Sequence, residues 1–245
     1  MKVRLGNFLY HYRNVLFPLV YSLLFIKGPL LVGDYRIAAL AGFAIASAGQ
    51  LLRGVTVGLD YIKRGGKNRM PYADDLVTGG LFSHCRNPLY VGNLTILLGA
   101  GVASNSLLFL TAGMAFFLFA YSCIVAAEEN FLRGKFGDVF DRYCSEVGRF
   151  TLNPKGLAET MRSMRFNWRR LVSAEYNSAF IWIVAASVGV LQNAWLAGDM
   201  AGFTASAAEG ILALAVIGYA VARVLKKTGR LRQSVAEPTG EAARA

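Results

Sequence analysis

The chain has 245 residues, 55% of them hydrophobic, and a mean hydropathy of +0.41, yet 26 Lys+Arg against 15 Asp+Glu give it a formal net charge of +11. A soluble domain interrupts its apolar residues every few positions, whereas here they run in blocks of about 20, enough to cross about 30 Å of hydrocarbon as a helix. An ordinary soluble enzyme is thereby excluded, and the expectation is an integral membrane protein.

The basic residues are unevenly placed: three in 1–14, five in 60–86, nine in 128–177 and six in 222–245, so that 23 of the 26 lie on one predicted side and Lys27, Arg36 and Arg53 are the exceptions. This positive-inside pattern accounts for the charge without a nucleic-acid partner, and it suits anionic lipid head groups. Cys85, Cys123 and Cys144 have no metal-ligand spacing; they read as structural residues, with no disulfide framework and no metal site. The N-terminus precedes an apolar span without a small-residue cleavage site, so no removable signal peptide is expected.

Residues 1–14 are basic and aromatic and suit an interfacial segment. A first span is predicted at about 15–32, bent near its outer end by Pro18 and Pro29, with Lys27 read as snorkelling to the outer interface. The turn Gly33-Asp34-Tyr35-Arg36 leads to a second span at 37–59, rich in Ala and Gly that permit close helix approach. Gln50 and Arg53 lie one turn apart near its inner end, and Arg53 either faces a site or snorkels. Loop 60–75 is polar and basic; Asp74-Asp75 read as solvated or capping residues rather than as a paired-carboxylate catalyst.

The next stretch, Leu76-Val-Thr-Gly-Gly-Leu-Phe-Ser-His-Cys-Arg-Asn-Pro-Leu-Tyr-Val-Gly-Asn93, places arginine, asparagine and tyrosine where a helix enters the membrane. Pro88 suits the first turn of a helix, with Asn87 as its N-cap, giving a third span from 88 to about 103. Ser104-Asn105-Ser106 makes a tight outer turn into a fourth span, 107–127, ending at Glu128-Glu129. So short a turn makes the two helices antiparallel, which brings Arg86, Asn87 and Tyr90 to the same side as Glu128 and Glu129. Residues 128–150 and 157–171 both show amphipathic helical spacing, the second basic and aromatic as in a helix lying among head groups. Spans five (179–197) and six (210–224) follow, then a basic segment and a polar tail expected to be disordered.

The fold class expected is therefore all-α: a polytopic membrane bundle of about six helices with cytoplasmic amphipathic helices. Its parts are a core at 1–154, an interfacial helix with two further spans at 155–230, and a tail at 231–245. Both termini and the polar cluster are placed on the cytoplasmic side of a bacterial inner membrane.

Chemically, Arg86 can hold a carboxylate bidentately, a Tyr90 face can meet a cationic centre, and Glu128-Glu129 can accept from an ammonium, with the Gly79-Gly80 turn and Gly92 permitting close approach. A cofactor combining amine, carboxylate and onium centre uses all three features, and S-adenosylmethionine is such a molecule. No glycine-rich loop opens a soluble Rossmann or P-loop helix. With only His11 and His84 present, hydrolase and zinc constellations are lacking; His84 reads as an interfacial structural residue rather than as a base or polar contact near the site.

These residues resemble a known family. Gly79-Gly80 followed by Arg86-Asn87-Pro88, Tyr90 and Gly92 looks like the signature of the isoprenylcysteine carboxyl methyltransferase and phospholipid N-methyltransferase superfamily. Its second half appears in register as Glu128-Glu129, Leu132, Phe136-Gly137, Phe140, Tyr143, Val147, Arg149-Phe150 and Pro154. The likeness covers about 76–154; residues 1–75 match in topology alone. It implies a membrane methyltransferase with S-adenosylmethionine held by Gly79, Gly80, Arg86, Asn87, Pro88, Tyr90, Gly92, Glu128 and Glu129. Arg149 and Tyr143 would close the pocket or touch a lipophilic acceptor entering from the bilayer, with Glu129 as the base for an amine acceptor. Asn87 stands where many members carry histidine, and Phe140 where a tyrosine is usual. Two rivals share the scaffold: an NADPH-dependent sterol or steroid reductase, which tends to carry an acidic residue at the position of Asn93, and a non-catalytic membrane protein.

Overall fold

The computed structural model of the protein describes residues 1–26, 28–59 and 73–231. The readings made for Lys27, for the basic loop residues 60–72 and for the tail beyond 231 lie outside the described residues. Among the described residues every regular element is helical: α1 Lys2–Tyr21, α2 Tyr35–Leu59, α3 Pro88–Ala103, α4 Met114–Phe136, α5 Asp138–Glu146, α6 Leu157–Ser163, α7 Trp168–Leu196 and α8 Phe203–Lys227. The protein is an all-α membrane bundle. Tyr35–Leu59, Phe109–Phe136, Trp168–Leu196 and Phe203–Lys227 are long and apolar enough to span a bilayer, and α3 is a shorter apolar helix. At 16 residues it is about 24 Å long at 1.5 Å per residue.

The first span differs from expectation. Instead of beginning at 15, the helix begins at Lys2, and it ends at Tyr21 in a 3-10 turn, Ser22–Phe25. The basic N-terminal segment is helical because its other face is apolar and has a partner: Gly6, Leu9 and Tyr10 are buried, and a Cβ on Gly6 would stand 2.0 Å from Cys123 O on α4. Arg13 lies over the Tyr10 ring at 4.1 Å. Pro18, one turn before the end, and the Gly28-Pro29 pair explain why the helix stops short of 32. The amphipathic segment after Glu129 is also divided. α4 runs on to Phe136 and breaks at Gly137, whose φ of 52° is a left-handed conformation that glycine adopts without steric cost. The 157–171 segment splits into α6 and the first turn of α7, where the Asn167 side chain caps Arg170 N at 3.0 Å; span five thus starts at Trp168.

The central seam is the antiparallel pair α2–α3. A Cβ on Gly42 would lie 2.1 Å from Ala103 N, one on Gly99 2.3 Å from Ala46 N, and one on Gly49 2.8 Å from Gly92 O. These backbones touch, as small-residue helix pairs do in lipid. α4 packs instead against α1, where Phe17 meets Phe117 edge-on at 5.2 Å and Tyr121 at 5.5 Å. α7 packs on α2 and α3, and α8 on α7. At the end away from the polar cluster, Asn105, with a φ of 52°, makes the predicted turn, and its Oδ1 accepts from Leu31 N and Val32 N at 3.0 Å. There Asp199, between α7 and α8, accepts from Tyr35 Oη at 2.6 Å and from Arg36 Nη2 at 2.6 Å.

Gly99→Val should lower stability by about 3 kcal/mol through overpacking of the α2–α3 seam, measured as thermal unfolding in detergent. The hydrogen bonds from Tyr35 and then Arg36 hold the Asp199 carboxyl below its ordinary value. A depressed carboxyl contributes stability that is present above its unfolded value, about 4, and is lost as pH falls through the folded one. The melting difference between the wild type and Asp199→Asn should therefore be small, given the exposed Arg36, and should shrink away as the pH is lowered from 7 until the carboxyl is protonated in both states.

Candidate functional site

At the other end of the bundle, the entry to α3, the lower half of α4 and the segment after α5 converge. The entry is shaped by Gly80, whose φ of 57° favours glycine and which opens a 3-10 turn, Gly80–Ser83. Pro88 is buried at the first position of α3, and Asn87 precedes it as N-cap residue, but the Asn87 side chain makes no cap bond. It donates instead to Arg149 O at 3.0 Å. Arg86 N donates to Gly148 O at 2.9 Å and Asn153 N to His84 O at 2.9 Å. Residues 84–87 are in this way laced to 148–153, and the side chains of Arg86 and Arg149 face one target.

That target is Glu129, 6% exposed on α4. Arg149 Nε donates to Glu129 Oε1 at 2.9 Å while Arg149 Nη2 donates to Oε2, a bidentate pair. Arg86 Nη1 lies 3.2 Å from Glu129 Oε1 and 2.6 Å from Cys144 Sγ. One residue earlier, Glu128 Oε1 accepts from Tyr90 Oη at 2.8 Å, and the Tyr90 ring lies 5.0 Å from that of Tyr121. Antiparallel α3 and α4 thus bring Arg86 and Tyr90 onto Glu129 and Glu128, as the short outer turn requires. Two polar atoms of this cluster are buried without a partner: Glu128 Oε2 and Arg86 Nε. An orphaned buried acceptor or donor costs about 1–3 kcal/mol, which a ligand with complementary groups would relieve.

Other residues singled out from the sequence stand differently. Gly92 faces α2, not α4: a Cβ there would lie 2.5 Å from Arg53 Cγ and 3.0 Å from Gly49 O. It belongs to the helix seam, not to the cluster around Glu129. Tyr143 Oη donates to Phe82 O at 2.7 Å, tying α5 to the α3 entry. His84 is saturated: Nδ1 faces Asn153 O at 2.8 Å and Nε2 faces Thr160 Oγ1 at 2.9 Å. A carbonyl can only accept, so Nδ1 donates to Asn153 O, and Nε2 shares a hydrogen bond with the threonine hydroxyl, which can donate or accept. Cys85 is buried, and burial pushes its thiol up. Gly79 is exposed, as are Asp74 and Asp75, while the backbone oxygens of Ala73 and Asp74 accept from Lys135 Nζ.

Sequence reasoning missed Glu175. Arg53 neither snorkels nor enters the cluster around Glu129: its Nε and Nη2 donate to Glu175 of α7 at 2.8 and 2.7 Å. A buried arginine requires a carboxylate, but the partner sits 122 residues away, beyond any local pattern.

The phospholipid methyltransferase family model matches residues 33–139. The match takes in α2, which from sequence resembled the family in topology alone, and it stops before Arg149. It supports a membrane methyltransferase in general terms. A relative, the cobalt-zinc-cadmium resistance protein CzcN of Cupriavidus metallidurans, is 32% identical over 158 residues, 60% of this chain and 66% of that protein. No solved structure matches. Among the described residues no group of His, Cys, Asp and Glu is placed to hold a metal ion.

His84→Ala should destabilise the fold by about 1–3 kcal/mol, because Asn153 O and Thr160 Oγ1 lose their partners. Thermal unfolding in detergent measures the loss; a variant of wild-type stability would show that these two bonds do not hold the fold.

Proposed function

We propose that the protein is an S-adenosylmethionine-dependent methyltransferase whose pocket lies between α3 and α4 at the basic, cytoplasmic end of the bundle. Residues 1–154 form the catalytic unit, and the acceptor is a lipid, a prenylcysteine-like group or a small lipophilic molecule. The observation that carries this reading is the pairing of an orphaned anion acceptor, Glu128 Oε2, with an orphaned cation donor, Arg86 Nε, in one buried cluster. An α-amino acid group presents a matching ammonium and carboxylate, and the Tyr90 ring stands beside them for an onium centre. The residues present therefore fit the cofactor.

When bound, S-adenosylmethionine supplies a methyl group on sulfonium, open to in-line displacement by an oxygen, nitrogen or sulfur nucleophile. The protein's share is positioning and exclusion of water. Arg86 would hold the carboxylate and Glu128 the ammonium. Arg149, half exposed on the segment after α5, would close the pocket through its pair with Glu129.

The geometry changes one assignment. Glu129 has both oxygens engaged by guanidinium donors, whereas Glu128 keeps one oxygen free. Glu128 is thus the carboxylate left to receive the cofactor's ammonium, and Glu129, rather than serving as a base, is the anchor that orients the two arginines.

Calorimetric titration of detergent-purified protein with S-adenosylmethionine, and separately with NADPH, tests the reading. S-adenosylmethionine should bind, and Glu128→Gln should weaken it by about tenfold or more through loss of a charge-assisted bond. Binding of NADPH alone would establish a reductase, and binding of neither would leave a non-catalytic scaffold.

A further inference from the structure

The third polar cluster of the bundle is buried among α2, α3 and α7. Glu175, 5% exposed, receives Arg53 Nε at 2.8 Å, Arg53 Nη2 at 2.7 Å and Gln50 Nε2 at 3.0 Å. Gln50 Oε1 in turn accepts from Trp182 Nε1 at 3.0 Å. Arg53 spends its remaining nitrogen on α3, where Nη1 donates to Asn93 Oδ1. Asn93 also stands close enough to the Tyr121 side chain on α4 to act on it electrostatically, and Tyr121 packs against Tyr90 at 5.0 Å. A continuous line of contacts then runs from α7 through Glu175, Arg53, Asn93, Tyr121 and Tyr90 to Glu128.

A plain helix-to-helix tether does not need this line. A bidentate guanidinium–carboxylate pair fixes α7 to α2 by itself, and in lipid an apolar contact does so without the cost of desolvating two ions. The third arginine nitrogen does something more: it holds Asn93 one turn along α3 from Tyr90, so the rotation of α3 about its axis is set from α7. Gly92, beside Asn93, lets the arginine stem pass. The matched family region ends at residue 139, and Glu175 lies beyond it.

We propose that Glu175 is a positioning residue for the methyl-transfer pocket, so that the appended helix α7 completes the site by orienting Tyr90 against Glu128 through Arg53 and Asn93. The proposal rests on the methyltransferase reading for its functional meaning, but the mechanical link can be measured without it. In the full-length protein, thermal unfolding of Tyr90→Phe, Glu175→Gln and the double variant forms a cycle. Sites without shared partners give additive shifts; the link requires the double variant to lose clearly less than the sum. Additive shifts would overturn the proposal, whatever the protein binds. Glu175→Asp replaces the glutamine variant if that one does not fold.

The second arm uses Arg53→Met with Glu175→Met, which removes both charges and leaves neither unpaired. Its melting temperature should stay close to wild type, while S-adenosylmethionine binding weakens by about tenfold, since displacement of about an ångström is costly in a preorganised site. A folded double variant with wild-type affinity would reduce Glu175 to a tether and overturn the proposal. Wild-type protein that does not bind S-adenosylmethionine would sink the methyltransferase reading, and the unfolding cycle would then decide Glu175 alone.

Discussion

A carboxylate held at the end of an apolar helix costs several kcal/mol unless its charge is met, and the polar end of this bundle is arranged around meeting that of Glu129. Two guanidiniums reach it from segments more than sixty residues apart in the chain, one from the entry to α3 and one from beyond α5. Each arginine is located by its backbone as well: Arg86 N binds Gly148 O, and Arg149 O receives Asn87. The carboxylate thus cross-links three segments at once. Tyr143 on Phe82 O and His84 between Asn153 and Thr160 extend the same lacing outward, which is why residues that look chemical in sequence turn out to be fasteners. A neutral residue at 129 would leave two cations facing each other.

The cluster could not hold its shape on mobile helices. The α2–α3 seam supplies the rigid frame, because backbones in direct contact leave no side chain to repack. It also determines which faces of α3 are free. With Gly92 and Gly99 turned to α2, Tyr90 is left facing α4 and Glu128. Gly92 thus sits in the same motif as Arg86 and Tyr90 for a packing reason.

Much of this was legible in the sequence. Blocks of apolar residues gave the bundle, and a three-residue outer turn forced Arg86 and Tyr90 to the side of Glu128 and Glu129. What stayed hidden depended on partners distant in the chain. The helical start at Lys2 depends on Gly6 fitting against α4, a contact no local pattern encodes. The break after Phe136 rests on the backbone of Gly137, which a periodicity of apolar residues runs straight through. Arg53 was open between two readings because its answer, Glu175, lies 122 residues away, between the expected interfacial helix at 157–171 and the expected span at 179–197. Asn87 looked like a cap, since a cap and a long-range donor demand the same residue type.

Charge balance links the two buried clusters and bears on the ligand proposed. Around Glu129 the formal charges of Glu128, Glu129, Arg86 and Arg149 cancel, so the pocket is neutral as built while one carboxylate oxygen remains unengaged. S-adenosylmethionine carries one negative and two positive centres, a net cation, so its entry adds positive charge to a site whose spare capacity is an anionic oxygen. The Arg53–Glu175 pair is likewise neutral and has no orphaned atom: each guanidinium nitrogen and each carboxylate oxygen is engaged. A saturated cluster has nothing left with which to take a ligand, and its effect on function must pass through the helices it holds. On the reading proposed, the two clusters divide the work by what they leave unsatisfied: the one beside α4 keeps open groups with which to bind, and the one beside α7 is closed and would serve to position.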